Sequence, residues 1–214
     1  REVPDLRIHT AQDGRIDRLY GRVFATGHSA MDTADRFISS YAPIWGVTAG
    51  DLKTGGVLPS GDVQVPLMFD PETREPRFTA TYFSQWAGDF PVFASRLLIL
   101  TLNQSDHGAV LAGADLRDLG DFEPAMPTRF ITDSNLALSR AREILGSADA
   151  SIEGDTRVVV FAGYDMEPAS PSMGLEFVAV TGGPWNPDAY QKRRLIIDAD
   201  GNVLYDENMI LSCR

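Results

Sequence analysis

The stretch that decides the fold is residues 76–116, PRFTATYFSQWAGDFPVFASRLLILTLNQSDHGAVLAGADL. Phe78, Ala80, Tyr82 and Trp86 fall on one side of an extended run and Thr79, Thr81, Phe83 and Gln85 on the other, which is the alternation of a strand. Gly88-Asp89 breaks the run. From 91 to 102 a second segment follows whose centre, Leu97-Leu98-Ile99-Leu100, is apolar on both faces and predicts a strand covered from both sides. A further break at 103–108 leads into 109–114. Three antiparallel strands joined by short polar turns account for the whole stretch.

Working outward toward the N-terminus, 63–69 predicts another strand, turned back by Asp70-Pro71-Glu72, and the glycine-rich 54–61 predicts a loop. Ser29 stands where a helix N-cap belongs, with Asp32 three residues on, and Ala34, Phe37, Ile38 and Tyr41 share one helical stripe. Ala42-Pro43 ends that helix, because the residue before proline is pushed out of the α region. A short strand is expected over 19–24, and residues 1–16 read as a loose lead-in. Toward the C-terminus, two prolines and two acids in 120–127 mark a linker over 124–131. Thr132 or Asp133 then caps a helix carrying Ala137, Ala141, Ile144 and Leu145 on one face and ending at Gly146. Strands are expected over 157–162, 175–181 and 190–199, with turns at Gly163, Pro168, Pro171, Gly183, Pro184 and Pro187 and a hairpin at Asp200-Gly201. The plan is therefore α+β: two modules, 17–123 and 132–211, each a helix packed on an antiparallel sheet, followed by a tail over 212–214.

Composition sets the outer limits. A chain of 214 residues with 43% hydrophobic content is long enough for two small cores. The net charge of -11 argues against nucleic acid, since phosphate binding needs clustered cations and the one cluster, Lys192-Arg193-Arg194, is a short strand edge. No apolar run reaches the roughly 18 residues that a membrane-spanning helix needs. The chain opens on Arg1 rather than Met, as a processed or excised piece would. The single cysteine, Cys213, makes no internal disulfide.

Catalytic patterns are missing from the residues. His9, His28 and His107 lie far apart, none opens the His-Glu-x-x-His spacing of a zinc helix, and no Gly-x-Ser-x-Gly elbow or phosphate loop is present. The acidic pairs Asp115 with Asp118 and Asp198 with Asp200 sit beside turns, where aspartate serves its own backbone, and Asp198, Asp200 and Asn202 lack the remaining ligands of a calcium loop. The expectation is a chain that is not an enzyme, with no catalytic residue, cofactor or metal; an enzyme of unfamiliar motif is the distant alternative.

The run Gln85-Trp86-Ala87-Gly88-Asp89-Phe90-Pro91-Val92-Phe93, followed by an apolar strand and a glycine turn, resembles the fungalysin/thermolysin propeptide motif. Residues 195–204, with Asp198 and Gly201 in the Asp-Ala-x-Gly turn, resemble the end of a PepSY domain, and the helix before Gly146 is similar to the one that opens such domains. The two modules occur in this order in the prosegments of secreted zinc metalloproteases. The resemblance implies a cystatin-like first module, a secreted or extracellular location, and a propeptide acting as intramolecular inhibitor and chaperone of a metalloprotease catalytic domain downstream in cis. Met209, Ile210 and Leu211 are then the expected partner-binding anchors, entering the protease cleft by a steric route, with zinc capping by Cys213 as the competing route. The alternative is a binding or spacer unit of a large extracellular protein that has no peptidase.

Overall fold

The computed structural model describes residues 5–12, 14–55, 57–58, 60–165, 167–183 and 190–210. The elements run β1 (Leu6–Thr10), β2 (Ile16–Ala25), α1 (Ala30–Tyr41), β3 (Leu52–Thr54), β4 (Gln64–Phe69), β5 (Pro76–Ala87), β6 (Phe90–Leu102) and β7 (Ala109–Asp115). They continue with α2 (Thr128–Thr132), α3 (Leu136–Leu145), β8 (Ser151–Tyr164), β9 (Glu167–Thr181), β10 (Gln191–Ile197) and β11 (Val203–Asn208).

This corrects the expectation of two helix-on-sheet modules. Half of the structure is strand and 17% helix, and the described strands join in an eleven-stranded sheet ordered β1-β2-β7-β6-β8-β9-β10-β11, with β5 on β6 and both β3 and β4 on β5. Two misread stretches explain the difference. The supposed lead-in holds β1, a charged strand paired antiparallel with β2, whose exposed residues hide any apolar alternation. Gly163, Pro168 and Pro171, expected in turns, lie inside the long strands β8 and β9; proline is tolerated in a strand where its missing amide faces no partner. By contact density the chain divides into two compact units, Arg1–Gly120 with Gly163–Pro168, and Asp121–Ala162 with Ala169–Arg214.

In the first unit α1 begins at Ser29, whose hydroxyl accepts from the Asp32 amide at 3.1 Å, while the Asp32 carboxylate accepts from the His28 amide at 2.8 Å. The first bond satisfies an amide that the first helical turn leaves open, and the second ties down the residue before the cap. The face carrying Ala34, Phe37 and Ile38 is buried in one cluster with Leu19, Phe83, Leu97, Ile99 and Ala112 from the sheet. Burying a side chain the size of Phe37 contributes roughly 1.5–3 kcal/mol. The helix does end before Ala42-Pro43, but not by the expected route: Ala42 stays in the α region at φ -49° and ψ -38°, and the chain tightens into a 3-10 turn, Ala42–Trp45, that closes on Gly46 at φ +72°. The strand 91–102 is covered unequally, because Leu97 and Ile99 are buried whereas Leu98 and Leu100 on the opposite face are half-buried.

The β5–β6 hairpin closes through Gly88-Asp89 between the paired residues Ala87 and Phe90. Gly88 has φ +56° and Asp89 is not in the left-handed region, which makes this the two-residue II′ turn. Beyond it Trp86 pairs with Pro91 and Ser84 with Arg96, so β6 spends residues 92–95 opposite Gln85 alone. That bulge, with Ala94 at φ +52°, turns Val92, Phe93 and Ser95 into the interior.

In the second unit α2 occupies part of the expected linker. The stripe Ala137, Ala141 and Leu145 of α3 is buried with Leu175, Phe177, Leu195 and Ile197, and Ile144 packs against them. The N-cap position of α3 is Asn135 rather than Thr132 or Asp133; Asp133 instead accepts from the Asn135 amide at 3.2 Å. The helix ends at Gly146, φ +60°, as read. Across β8, β9 and β10, Glu176 is buried between Arg157, whose Nε donates at 2.9 Å, and Arg194, whose Nε donates at 2.7 Å.

Candidate functional site

The residues of the Gln85–Phe93 motif come together at the start of β6. Gln85 is 2% exposed and its amide is fully engaged: Nε2 donates to the Arg117 carbonyl and Oε1 accepts from the Arg117 amide, both at 2.8 Å, and from the Ser95 hydroxyl. One side chain thus replaces a strand partner for the segment leaving β7. Arg117 is 3% exposed, with Nη1 donating to the Asp165 carbonyl at 3.1 Å and Nη2 lying 3.1 Å from the Asp115 carboxylate. Phe93 meets the ring of Tyr164 at 6.1 Å. Trp86 is held by a bond from its indole N–H to the Ser84 hydroxyl and by the Lys53 ammonium 4.1 Å from its ring.

A cavity of about 790 Å³ in the first unit shares Asp115 and Asp165 with this frame. Pairing registers lay Tyr82, Leu98, Gly113 and Arg18 in one row across β5, β6, β7 and β2, on the face turned away from Leu97 and Leu19. Ile44 and Trp45 line it from the helix side of the sheet, where Trp45 packs against the Leu19–Leu97 cluster, and Arg15, Arg96, Asp115 and Asp118 stand among the polar lining. Sequence reading missed this site. The one signal available was Gly113 within Ala112-Gly113-Ala114, since glycine inside a strand marks a place where something approaches closely.

The remaining singled-out residues are dispersed. Asp198 and Gly201 build the β10–β11 turn, where Asp198 accepts from the Asp200 and Asn202 amides at 2.8 Å and Gly201 takes φ +89°. Burial acts to raise the Asp198 pKa, but the bonds from Asn202, Asp200 and Gly201 outweigh it and hold the carboxyl below its ordinary value. The Asp198 oxygens, proposed as calcium ligands only to be set aside, are occupied by this turn. Asp115 pairs with Arg117, and Asp118 accepts from the Gly120 amide at 2.9 Å. His9 lies 2.6 Å from Asp17. The buried Nδ1 of His107 has no hydrogen-bond partner among the described residues. Among those residues no group of three His, Cys, Asp or Glu side chains is placed to hold a metal, and no helix is long and apolar enough to cross a membrane. Met209 and Ile210 are 41% and 37% exposed just past β11; Leu211 and Cys213, with the rest of the tail, lie outside the described residues, as do Pro184 and Pro187.

No protein-family model matches the chain, and no curated protein matches it significantly in sequence.

Proposed function

We propose that the chain is a non-catalytic prosegment of a secreted zinc metalloprotease, holding the catalytic domain inactive and assisting its folding. The observation that carries this reading is the end of β11. Among the described residues this strand pairs with β10 alone, the Met209 amide carries the ladder one residue further by donating to the Lys192 carbonyl at 2.9 Å, and Met209 and Ile210 turn apolar side chains to solvent. An extended segment with apolar anchors is the form a protease cleft accepts as an added strand. The proposed partner is the downstream peptidase domain in the same polypeptide. A short tether sets an effective concentration of about mM, so a contact of about μM strength biases the pair roughly a thousandfold toward the bound, inactive state.

The test adds the purified chain to the isolated metallopeptidase domain encoded in the same reading frame. Wild type and Cys213→Ser are expected to inhibit equally, and the double variant Met209→Asp, Ile210→Asp to inhibit at least about tenfold less well. Loss of inhibition in the serine variant alone replaces the steric route with zinc capping. Failure of the wild type to inhibit, or the lack of any such domain, overturns the prosegment reading in favour of an extracellular spacer.

A further inference from the structure

We propose that the sheet face of the first unit turned away from α1 is an interface between two copies of this chain, packed face to face about a two-fold axis.

The face is apolar and no helix lies on it. α1, the one α-helix of this unit among the described residues, packs on the side of Leu97 and Ile99. On the reverse side the pairing registers set Leu67 beside Phe78, and Val65, Ala80, Leu100, Leu111 and Tyr20 in one row across five strands. Leu97 and Ile99 are fully buried, whereas Leu98, Leu100 and Leu111 keep part of their surface in water, and at the β4 end Leu67 is 37% and Phe69 63% exposed. An apolar surface this wide marks an interaction site. Its size suits a second copy. The six strands β4-β5-β6-β7-β2-β1, at about 4.8 Å spacing and with about seven residues each at about 3.4 Å, make a face of roughly 29 by 24 Å, or about 700 Å². A stable complex buries roughly 800 Å² per partner. Pairing along the β4 edge is disfavoured by comparison. The Tyr82 amide donates to the Val63 carbonyl at 2.9 Å, so the alternation of the ladder turns the backbone of Gln64 and Pro66 outward, and Pro66 has no amide to give.

Charge sets the orientation. Arg7 pairs in register with Tyr20, and Arg18 shares a row with Leu98 and Tyr82, so both stand on this face at its β1–β2 corner. Nearby, Arg22 is engaged by Asp5 and Asp17 by His9. The β4–β5 turn lies at the diagonally opposite corner, past Phe69; there Asp70 is engaged by Arg77, which leaves Glu72 and Glu75 against Arg74. Arg7, Arg18, Glu72 and Glu75 have no ion-pair partner among the described residues. A two-fold axis lying in the interface along the other diagonal sets each arginine corner on the second copy's glutamate corner, twice per dimer. The strands of the two copies then cross at a large angle, the orthogonal class of sheet packing. With a net charge of -11 on each chain, a docking that set one acidic turn on another would add to the repulsion, and this one removes it where the copies touch. Only residues of the first unit take part, so the interface is independent of the prosegment reading.

Sedimentation velocity of the full chain in reducing buffer, over about 1–500 μM, is expected to show a reversible monomer–dimer equilibrium. The double variant Leu67→Lys, Phe69→Lys, at two exposed positions, should weaken the dimer at least about tenfold. Arg7→Glu with Arg18→Glu should weaken it to a similar degree, and so should Glu72→Arg with Glu75→Arg. Mixed in equal amounts, with one of them fluorescently labelled, the two charge variants should form a heterodimer as tight as the wild-type dimer, because both of its corner contacts then join unlike charges. Thermal melts confirm that each variant is folded. A chain that is monomeric throughout the range, an undiminished dimer in the folded lysine variant, or charge variants that associate no better mixed than apart overturns the proposal.

Discussion

Gln85 shows how one buried side chain can set the course of a chain. Its amide bonds both the N–H and the C=O of Arg117, so Gln85→Leu takes a buried partner away from each of these backbone groups. An unmade bond of this kind costs about 1–3 kcal/mol, and the pair should cost about 2–4 kcal/mol in urea unfolding monitored by circular dichroism. A loss under about 1 kcal/mol would show that water or a shifted strand takes over. Gly88 acts through φ instead. At +56° a β-branched residue is strained, so Gly88→Val is expected to lower stability by about 1–3 kcal/mol; an unchanged urea midpoint would show that the turn is not the constrained point. Both residues were visible in the sequence as a motif. The partner Arg117 was not, because a side-chain bond to a backbone 32 residues away leaves no mark on local spacing.

Elements were legible where one face is buried and the other is not. The α1 stripe, the meander of β5, β6 and β7, and the stop of α3 at Gly146 all follow from periodicity and caps. The strand β1 and the outer reaches of β8 and β9 are exposed on both faces and carry no such period. In that sheet Glu176 joins three strands through Arg157 and Arg194, which are themselves 48% and 35% exposed. Removing the carboxylate takes one partner from each of two guanidiniums that water still reaches, so Glu176→Ala should cost about 1–3 kcal/mol, below the value for a fully buried pair. The turns give a pH dependence with a definite sign. Asp70 is held below its ordinary pKa first by the Arg77 side chain and then by the Glu72 and Thr73 amides, Asp32 first by the His28 amide and then by Arg36, and Asp198 by its turn. A carboxyl whose folded pKa is depressed contributes stability that is complete above its unfolded pKa, about 4, and is lost as pH falls through the folded value. Melting temperature should therefore be flat with respect to these groups near neutrality and drop below about pH 4. Asp70→Asn should make that drop shallower; an identical acid limb would show that Asp70 takes no part.

At the scale of the whole molecule, the plan of two successive modules takes each as one continuous piece of chain, and the division by contact density falls beside the expected boundary, at Gly120 and Asp121, with one short segment exchanged. The first unit is discontinuous: residues 163–168 belong to it although they follow it by some forty positions. Nothing in Gly163-Tyr164-Asp165 announces this, since the groups it serves, Arg117 and Phe93, are distant in sequence. The consequence is measurable in a fragment spanning residues 1–120. Such a fragment keeps every strand from β1 to β7 but loses the Asp165 carbonyl that accepts from Arg117 and the Tyr164 ring that meets Phe93. A hydrogen bond from a charged donor is worth about 1.5–3 kcal/mol and an aromatic contact about 0.5–1.5 kcal/mol. The two share neighbours and need not add, which puts the expected loss at about 2–4 kcal/mol. Unfolding in urea, followed by the fluorescence of Trp45 and Trp86 and compared with the full chain carrying Trp185→Phe, should show the fragment's midpoint lower by about 1–2 M at an m-value of about 2 kcal/mol/M. Tyr164→Ala in the full chain should reproduce part of that fall. A fragment as stable as the unit it was cut from would mean that residues 163–168 rest against the first unit without supporting it, and that the two successive pieces expected from sequence are the true units of folding.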